Sequence, residues 1–585
     1  MAKLTNAELA AKVEEILASM SLEDKAGQMF HAMAFVGDPT VASPMTGEIT
    51  ERMIRELRIS HFNAVATAPT AEAFAEWHNQ LQEIACDAGF KVPITISTDP
   101  RHAFADNPGA AMRAGIFSEW PETMGLAAIG DPETVREFAD IARQEYISVG
   151  LRAALHPQID LATEPRWARG GATFGESAEL TSKLVGPYIR GFQGEELSAT
   201  SVSTMTKHFP GGGPQKDGED PHFPYGKEQV YPGNNFDYHL EPFKAAIAAG
   251  TAQMMPYYGQ PIALNVNGEK IEEVAFGFNK QIITDLLRNK LGFDGVVCTD
   301  WGIINEHPIM GDMWEARAWG LEHLSPKERL VRAIEAGVDQ FGGEFCTDLL
   351  VEAVRDGLIS EDRIDVSVRR LIKQKIHLGL FDNAMVDPAE AAKIVGRADF
   401  REAGFRAQQR SIVVLQNNQI AGVAVLPLAG APKLYVEGID AEAAAKYGVV
   451  VATPEEADFA ILRVKAPFEP RPKAFESFFH AGSLDFTDEA REHLLSVAAK
   501  VPTILDVYMD RPAILTPLID AIPAIVANFG ARPEALLDVL FGRVKSEAKL
   551  PFELPRSMAA VVASRSDMPF DTENPIFKFG HGLSI

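Results

Sequence analysis

Cysteine is scarce, with three in 585 residues: Cys86, Cys298 and Cys346. No pair has metal-ligand spacing, and an odd, widely spread set argues against a disulfide framework. Basic residues are short as well, 55 Lys and Arg against 81 Asp and Glu, for a formal charge of −26. A chain without cationic excess has no counterions to displace, so neither nucleic acid nor an anionic membrane is expected as a partner. No run of about 18 apolar residues occurs, and nothing reads as a membrane-spanning helix. The first residues lack the apolar core of a signal peptide, which predicts a cytoplasmic location; a chain trimmed of its signal would read the same. His208, His222, Asp217, Glu219 and Asp220 crowd one stretch, but without HxxxH or HExxH spacing they predict no metal, and no other cofactor is expected. The composition, 46% hydrophobic and 23% charged, is that of a soluble globular protein. It suits a neutral small-molecule substrate and leaves a homo-oligomer open.

The length exceeds what one hydrophobic core serves. Up to about residue 380, short apolar runs alternate with helical stretches. The runs at 64–67, 93–97, 152–155, 203–207, 252–256, 296–299 and 336–341 read as strands, and residues 5–30 carry helical periodicity. Strand-then-helix repetition implies a parallel sheet, and its count fits a TIM-like (β/α)8 barrel over residues 1–385. Residues 386–400 read as a linker. A second strand–helix series over 401–555 predicts an α/β sandwich domain. Residues 556–585 lack period and read as a wrapping segment.

The segment Gly295-Val-Val-Cys-Thr-Asp-Trp-Gly302 is the most informative. A carboxylate at the end of a buried strand lies where barrels place catalytic groups, and an adjacent indole offers a flat face to a sugar ring. Three more polar clusters end barrel strands: Ser97-Thr-Asp-Pro-Arg-His102, Asp160-Leu-Ala-Thr-Glu-Pro-Arg-Trp-Ala-Arg169 and Lys207-His-Phe-Pro-Gly-Gly-Gly213. Strand ends of a barrel converge on one face, so these acids, cations and indoles should share one pocket, a mixture that grips many hydroxyls at once. The triple glycine lacks both the GxxxxGK[ST] and GxGxxG patterns and reads as a tight turn rather than a phosphate cradle.

These motifs resemble glycoside hydrolase family 3, the β-glucosidase and exo-glucanase group, over nearly the whole length. Ser21-Leu-Glu-Asp-Lys-Ala-Gly-Gln-Met29 is similar to its opening helix. Pro165-Arg-Trp-Ala-Arg169 with Thr173-Phe-Gly-Glu176 is similar to its arginine loop, Ala168 standing where Gly is usual. Lys207-His-Phe-Pro-Gly211 and Thr299-Asp-Trp301 match its Lys-His and nucleophile motifs. Asn528-Phe-Gly-Ala, Leu537-Asp-Val-Leu-Phe-Gly542, Lys549-Leu-Pro551 and Phe579-Gly-His-Gly-Leu-Ser584 look like its second domain and closing segment. The resemblance implies a retaining exo-acting β-glycosidase, most simply a β-glucosidase, acting on small glycosides or oligosaccharides. Asp300 would be the nucleophile. Asp99, Arg169, Lys207 and His208 would bind hydroxyls, Tyr257 would donate to Asp300, and Trp301 would wall the pocket, with Arg101 as a further candidate.

The resemblance is loosest at the acid/base. The family's two-domain members carry it as a Glu on a second-domain loop, which points to Glu469 in Lys465-Ala-Pro-Phe-Glu-Pro-Arg471, then to Glu476. Members acting on N-acetylglucosaminides instead pair an Asp with a His after the Lys-His motif. Asp220-Pro-His222 is similar, two residues further on and with Pro in place of a hydroxyl residue. Retention asks for two carboxyl groups about 5–5.5 Å apart, one ionised and one held protonated, while an imidazole tuned by a neighbouring carboxylate can also act as acid and base. The long 301–329 interval, with Trp314 and Trp319, reads either as an aglycone subsite or as packing beneath the second domain. Glu344 is another possible pocket acid. A β-xylosidase, a β-N-acetylhexosaminidase, a glycoside phosphorylase and an inactive sugar-binding protein remain as alternatives.

Overall fold

The computed structural model describes residues 4–44, 46–105 and 111–585. Eight parallel strands form one sheet: β1 (Phe30–Phe35), β2 (His61–Val65), β3 (Thr95–Thr98), β4 (Leu151–Ala154), β5 (Ser203–Phe209), β6 (Gln253–Pro256), β7 (Val296–Val297) and β8 (Phe341–Gly342). Their order is β7-β6-β5-β4-β3-β2-β1-β8. A parallel bridge between Cys298 and Gln340 joins β7 to β8 and closes the barrel. Helices cover the outer face of these strands and the barrel interior buries the inner one, which is why they read as apolar runs rather than alternating ones. The helices begin where side chains can cap them. Ser21 and Asp24 close a capping box, as do Ser325 and Glu328, and Asp131 caps a helix with Pro132 in its first turn.

The expected helical stretch at 5–30 divides into helices Asn6–Ala18 and Leu22–Gln28, and β1 begins directly after them. That strand is the eighth, absent from the seven expected. Its sequence, Phe-His-Ala-Met-Ala-Phe, follows the helix without a Gly or Pro break.

The second sheet runs β9 (Val413–Asn417), β10 (Lys433–Glu437), β11 (Val449–Val450), β12 (Phe459–Lys465), β13 (Thr503–Tyr508) and β14 (Ala524–Asn528) in chain order. In space the order is β9-β14-β13-β12-β10-β11, with β9 antiparallel and the rest parallel. One of its two cores extends into the barrel: Met124 and Ala128, from the barrel helix Thr123–Ile129, pack with Val413, Ala527 and Phe529. Gly125 permits this approach, because a Cβ there would sit 3.2 Å from that of Phe529 and 2.7 Å from that of Pro121. The 386–400 interval is docked: it holds helix Pro388–Ile394, and Val386 exchanges backbone hydrogen bonds with the Asn79 side chain. The final segment returns to the barrel, where Asp567 accepts from the amides of Gly233 and Asn235. Among the described residues no helix is long and apolar enough to cross a membrane.

Candidate active site

The carboxyl ends of the barrel strands surround a cavity of about 530 Å³. Asp99, Arg169, Lys207, His208, His222, Asp300 and Trp301 all line it. Asp300 follows β7 and is 8% exposed. Its Oδ1 accepts from the Trp301 amide at 2.8 Å, which fixes the carboxylate. Its Oδ2 has no hydrogen-bond partner among the described residues and lies 3.6 Å from His208 Nε2. A buried carboxylate oxygen left bare is costly unless a ligand or chemistry uses it.

Around it the charges are held by their neighbours. Lys207 Nζ donates to Asp99 Oδ1 at 2.9 Å, and Asn63 donates to the other Asp99 oxygen at 3.3 Å. Asp160 anchors the Lys-His strand: it accepts from the His208 backbone amide at 3.2 Å, pairs with His208 Nδ1 at 2.8 Å and accepts from the Gly212 amide at 2.6 Å. Burial pushes Asp160 up to about 6. Burial, together with the Arg169 cation, holds His208 well below the ordinary imidazole range, so its ring is neutral at pH 7. Burial opposes the charge on Arg169, yet Asp220 and Asp300 more than offset it and keep the guanidinium charged. The glycines of Gly211–Gly213 serve close approach. A Cβ on Gly212 would strike the Tyr257 ring at 2.8 Å, and one on Gly213 would overlap the Leu161 carbonyl.

Trp301 lies over Gly342 and Gly343, where a Cβ on either would come within 2.6 Å of the indole. The buried His31 ring supports it, with centroids 5.4 Å apart. Below sit Leu155, Met205, Met255 and Cys298, an apolar floor in which burial pushes the Cys298 thiol well up.

The Asp220–His222 pair stands on the same wall. His222 Nδ1 lies 2.6 Å from Asp220 Oδ1, and the His222 amide donates to the same oxygen at 3.0 Å. Trp167 Nε1 donates to Asp220 Oδ2 at 3.1 Å. With Nδ1 engaged, Nε2 is the ring nitrogen left for the cavity. Burial works against the Asp220 carboxylate, but His222 and Arg169 outweigh it and hold its pKa below the ordinary value.

Three expected residues fall elsewhere. Tyr257 does not donate to Asp300: its hydroxyl is buried without a partner among the described residues, and its ring packs against His208 at 5.1 Å. Its neighbour Tyr258 lines the cavity instead, donating to the Trp301 carbonyl at 2.7 Å. Arg101 lies behind the pocket, donating to the carbonyls of Ala64 and Ala66 and to Thr98. Glu344 is fully buried and accepts from the Ile304 and Asn305 amides, so it shapes the loop rather than facing the cavity.

The two second-domain acids are also outside the cavity lining. Glu469 is exposed; its backbone pairs with Ala481 and its carboxylate lies over Gly482. Glu476 is 7% exposed and accepts from the Tyr225 hydroxyl at 3.2 Å. What that loop does send into the cavity is Phe475 and Phe478. Arg511 holds the loop, donating to the carbonyls of Pro467, Ala481, Gly482 and Ser483 and, across the domain boundary, to that of Arg166. Trp314 packs with Phe475 and Phe223 at 5.8 and 5.1 Å, and Trp319 is buried with its Nε1 on the Pro221 carbonyl. Trp314 and Trp319 are thus packing, while His307 and Ile309 from the same interval line the cavity with Trp301. Among the described residues no group of His, Cys, Asp and Glu is arranged to hold a metal ion.

Comparison with known proteins agrees with this architecture. The family model for the glycosyl hydrolase family 3 N terminal domain matches residues 21–374, and that for the family's C-terminal domain matches residues 430–585. A beta-glucosidase C from Emericella nidulans is 52% identical over 98% of this chain and 92% of its own length. A periplasmic beta-glucosidase/beta-xylosidase from Dickeya chrysanthemi is 44% identical over 98% and 90%. Among solved structures, a β-glucosidase from Erythrobacter marinus superposes with a TM-score of 0.80 at 21% identity, covering 98% of this chain and 83% of that one.

Proposed function

Since the chain belongs to glycosyl hydrolase family 3 and is a glycoside hydrolase, we propose that it is a retaining, exo-acting β-glucosidase with Asp300 as nucleophile and the Asp220–His222 pair as proton carrier. The observation that carries this reading is Asp300 Oδ2, without a geometric hydrogen-bond partner among the described residues, on the same cavity as an imidazole held by a carboxylate. Asp99, Lys207, Arg169 and His208 form the end of the cavity that takes the terminal sugar. Asp99 accepts from hydroxyls while Lys207, Arg169 and the neutral His208 ring donate to them, which fixes the ring, and a floored pocket suits removal of one residue at a time.

In the first step Asp300 Oδ2 attacks the anomeric carbon while the bond to the leaving oxygen breaks, and His222 gives that oxygen its Nε2 proton from the imidazolium form, which burial disfavours, leaving the pKa below the ordinary imidazole value, and which Asp220 supports. Asp220 stabilises the cation before transfer and holds the ring after it. In the second step neutral His222 takes a proton from water as the water oxygen attacks the anomeric carbon, and Asp300 leaves as carboxylate. Each bond made is matched by one broken, and His222 returns to its starting charge.

Exposure to a 2-deoxy-2-fluoro-β-glucoside with a good leaving group tests the nucleophile. Mass spectrometry should find one added fluoroglucosyl group on the peptide containing Asp300. A label on another residue, or none, contradicts the reading. Glucose 1-phosphate as the main product when inorganic phosphate is added would replace hydrolysis with phosphorolysis. The Dickeya relative's name makes β-xylosides the second sugar to assay.

A further inference from the structure

The strand register shows where the cavity changes character. In β1 and β2, Met33 pairs with Asn63 and, two residues on, Phe35 pairs with Val65. Residues two apart in a strand share a face and advance by about 6.6 Å. Asn63 donates to Asp99 and so belongs to the sugar end. One step outward the same face offers Phe35 and Val65, hydrocarbon only. The same cavity is lined by Ile309, from the 307–314 hairpin, and by Phe475 and Phe478 from the second domain. Of the polar side chains there, Arg317 lies over the Tyr258 ring and donates to the His222 carbonyl, and His307 Nε2 is 3.3 Å from Glu344 without forming a hydrogen bond among the described residues; Thr46, Thr67 and Arg113 also line the cavity.

A second sugar laid against Phe35, Val65, Phe475 and Phe478 would bury hydroxyls against side chains that cannot pair with them, which is costly, whereas an apolar group would gain from contact with those four. The cavity, at about 530 Å³, is of the size that encloses a small ligand rather than a single ring. Resting on the glucosidase reading, we propose that this enzyme is selective for glucosides with an apolar aglycone, alkyl or aryl, seated between Phe35 and Val65 of the barrel and Phe475 and Phe478 of the second domain. The second domain then contributes substrate selection through this wall.

The test is a series of n-alkyl β-glucosides from methyl to hexyl, with cellobiose as comparator. For the wild-type enzyme kcat/KM should rise with each methylene, toward about fourfold per step where the methylene is fully buried, and hexyl glucoside should exceed cellobiose. Phe478→Ser should flatten the series. Val65→Thr, nearly the same shape and on the other wall, should flatten it partly and guards against misfolding of the loop variant. A flat wild-type series, or cellobiose preferred over hexyl glucoside, overturns the inference while leaving the glucosidase reading intact. If no member of the series is cleaved and Asp300 takes no label, the glucosidase reading fails and takes this inference with it.

Discussion

The two walls of the cavity are built on different principles. The barrel wall is charged and tied down: Asp99 to Lys207 and Asn63, His208 to Asp160, His222 to Asp220. The second-domain wall is aromatic, with Phe475 and Phe478 projecting from a loop whose own acids, Glu469 and Glu476, are turned elsewhere. Charges in a buried site must be oriented by further partners, because an unpaired one is expensive, whereas an apolar wall needs only shape. The comparison assigns chemistry to the barrel and substrate selection to the second domain.

The largest effect should come from the barrel nucleophile. Asp300→Ala removes the atom that forms the intermediate and should lower kcat by about 10⁴-fold or more, as loss of a covalent nucleophile commonly does. Next, Asp99→Ala loses the carboxylate that would accept two hydroxyls and frees Lys207, and kcat/KM should fall by about a hundredfold or more. An equal loss from any single substitution in the 467–483 loop that leaves the fold intact would break the division between the walls. Glu469→Ala should change kcat/KM by no more than about twofold, like other exposed substitutions away from chemistry.

A stability measurement tests the joint between the domains. Glu176, on the barrel, accepts from the amides of Glu553 and Phe570, and burial pushes it up to about 8. A carboxyl raised in the folded state favours folding fully below its unfolded value near 4.5, and that contribution is lost as pH rises through 8. Glu176→Gln imposes a fixed penalty from mismatched donors. Measured by denaturant unfolding, its stability relative to wild type should nonetheless improve from pH 4.5 to 8, by at most about 1.4 kcal/mol per pH unit, and level off above. A constant difference across that range would mean Glu176 is ionised in the fold.

The barrel wall was largely legible in the sequence because its residues sit at strand ends, where buried apolar runs stop and polar clusters start. Asp300, Asp99, Lys207, His208 and Arg169 all fall on the cavity for that reason. Tyr257 and Tyr258 could not be told apart, since they follow the end of β6 and the alternation of a strand no longer says which ring turns inward. Arg101 shares its cluster with Asp99 but satisfies its guanidinium on backbone carbonyls, a pairing invisible without the fold. The second-domain wall was the least legible. Glu469 is the first acid after β12, yet the path of its loop is set by Arg511, 42 residues later, and by contacts with the barrel that no local pattern records.

The most direct measurement compares His222→Ala with Glu469→Ala on an activated β-glucoside, with and without azide. General acid–base catalysis is commonly worth about 10²–10⁴-fold. His222→Ala should slow deglycosylation on that scale, and azide should restore turnover and yield β-glucosyl azide, while Glu469→Ala stays near wild type in both conditions. Azide rescue of Glu469→Ala, with His222→Ala unaffected, would contradict the account and return the proton carrier to the second domain.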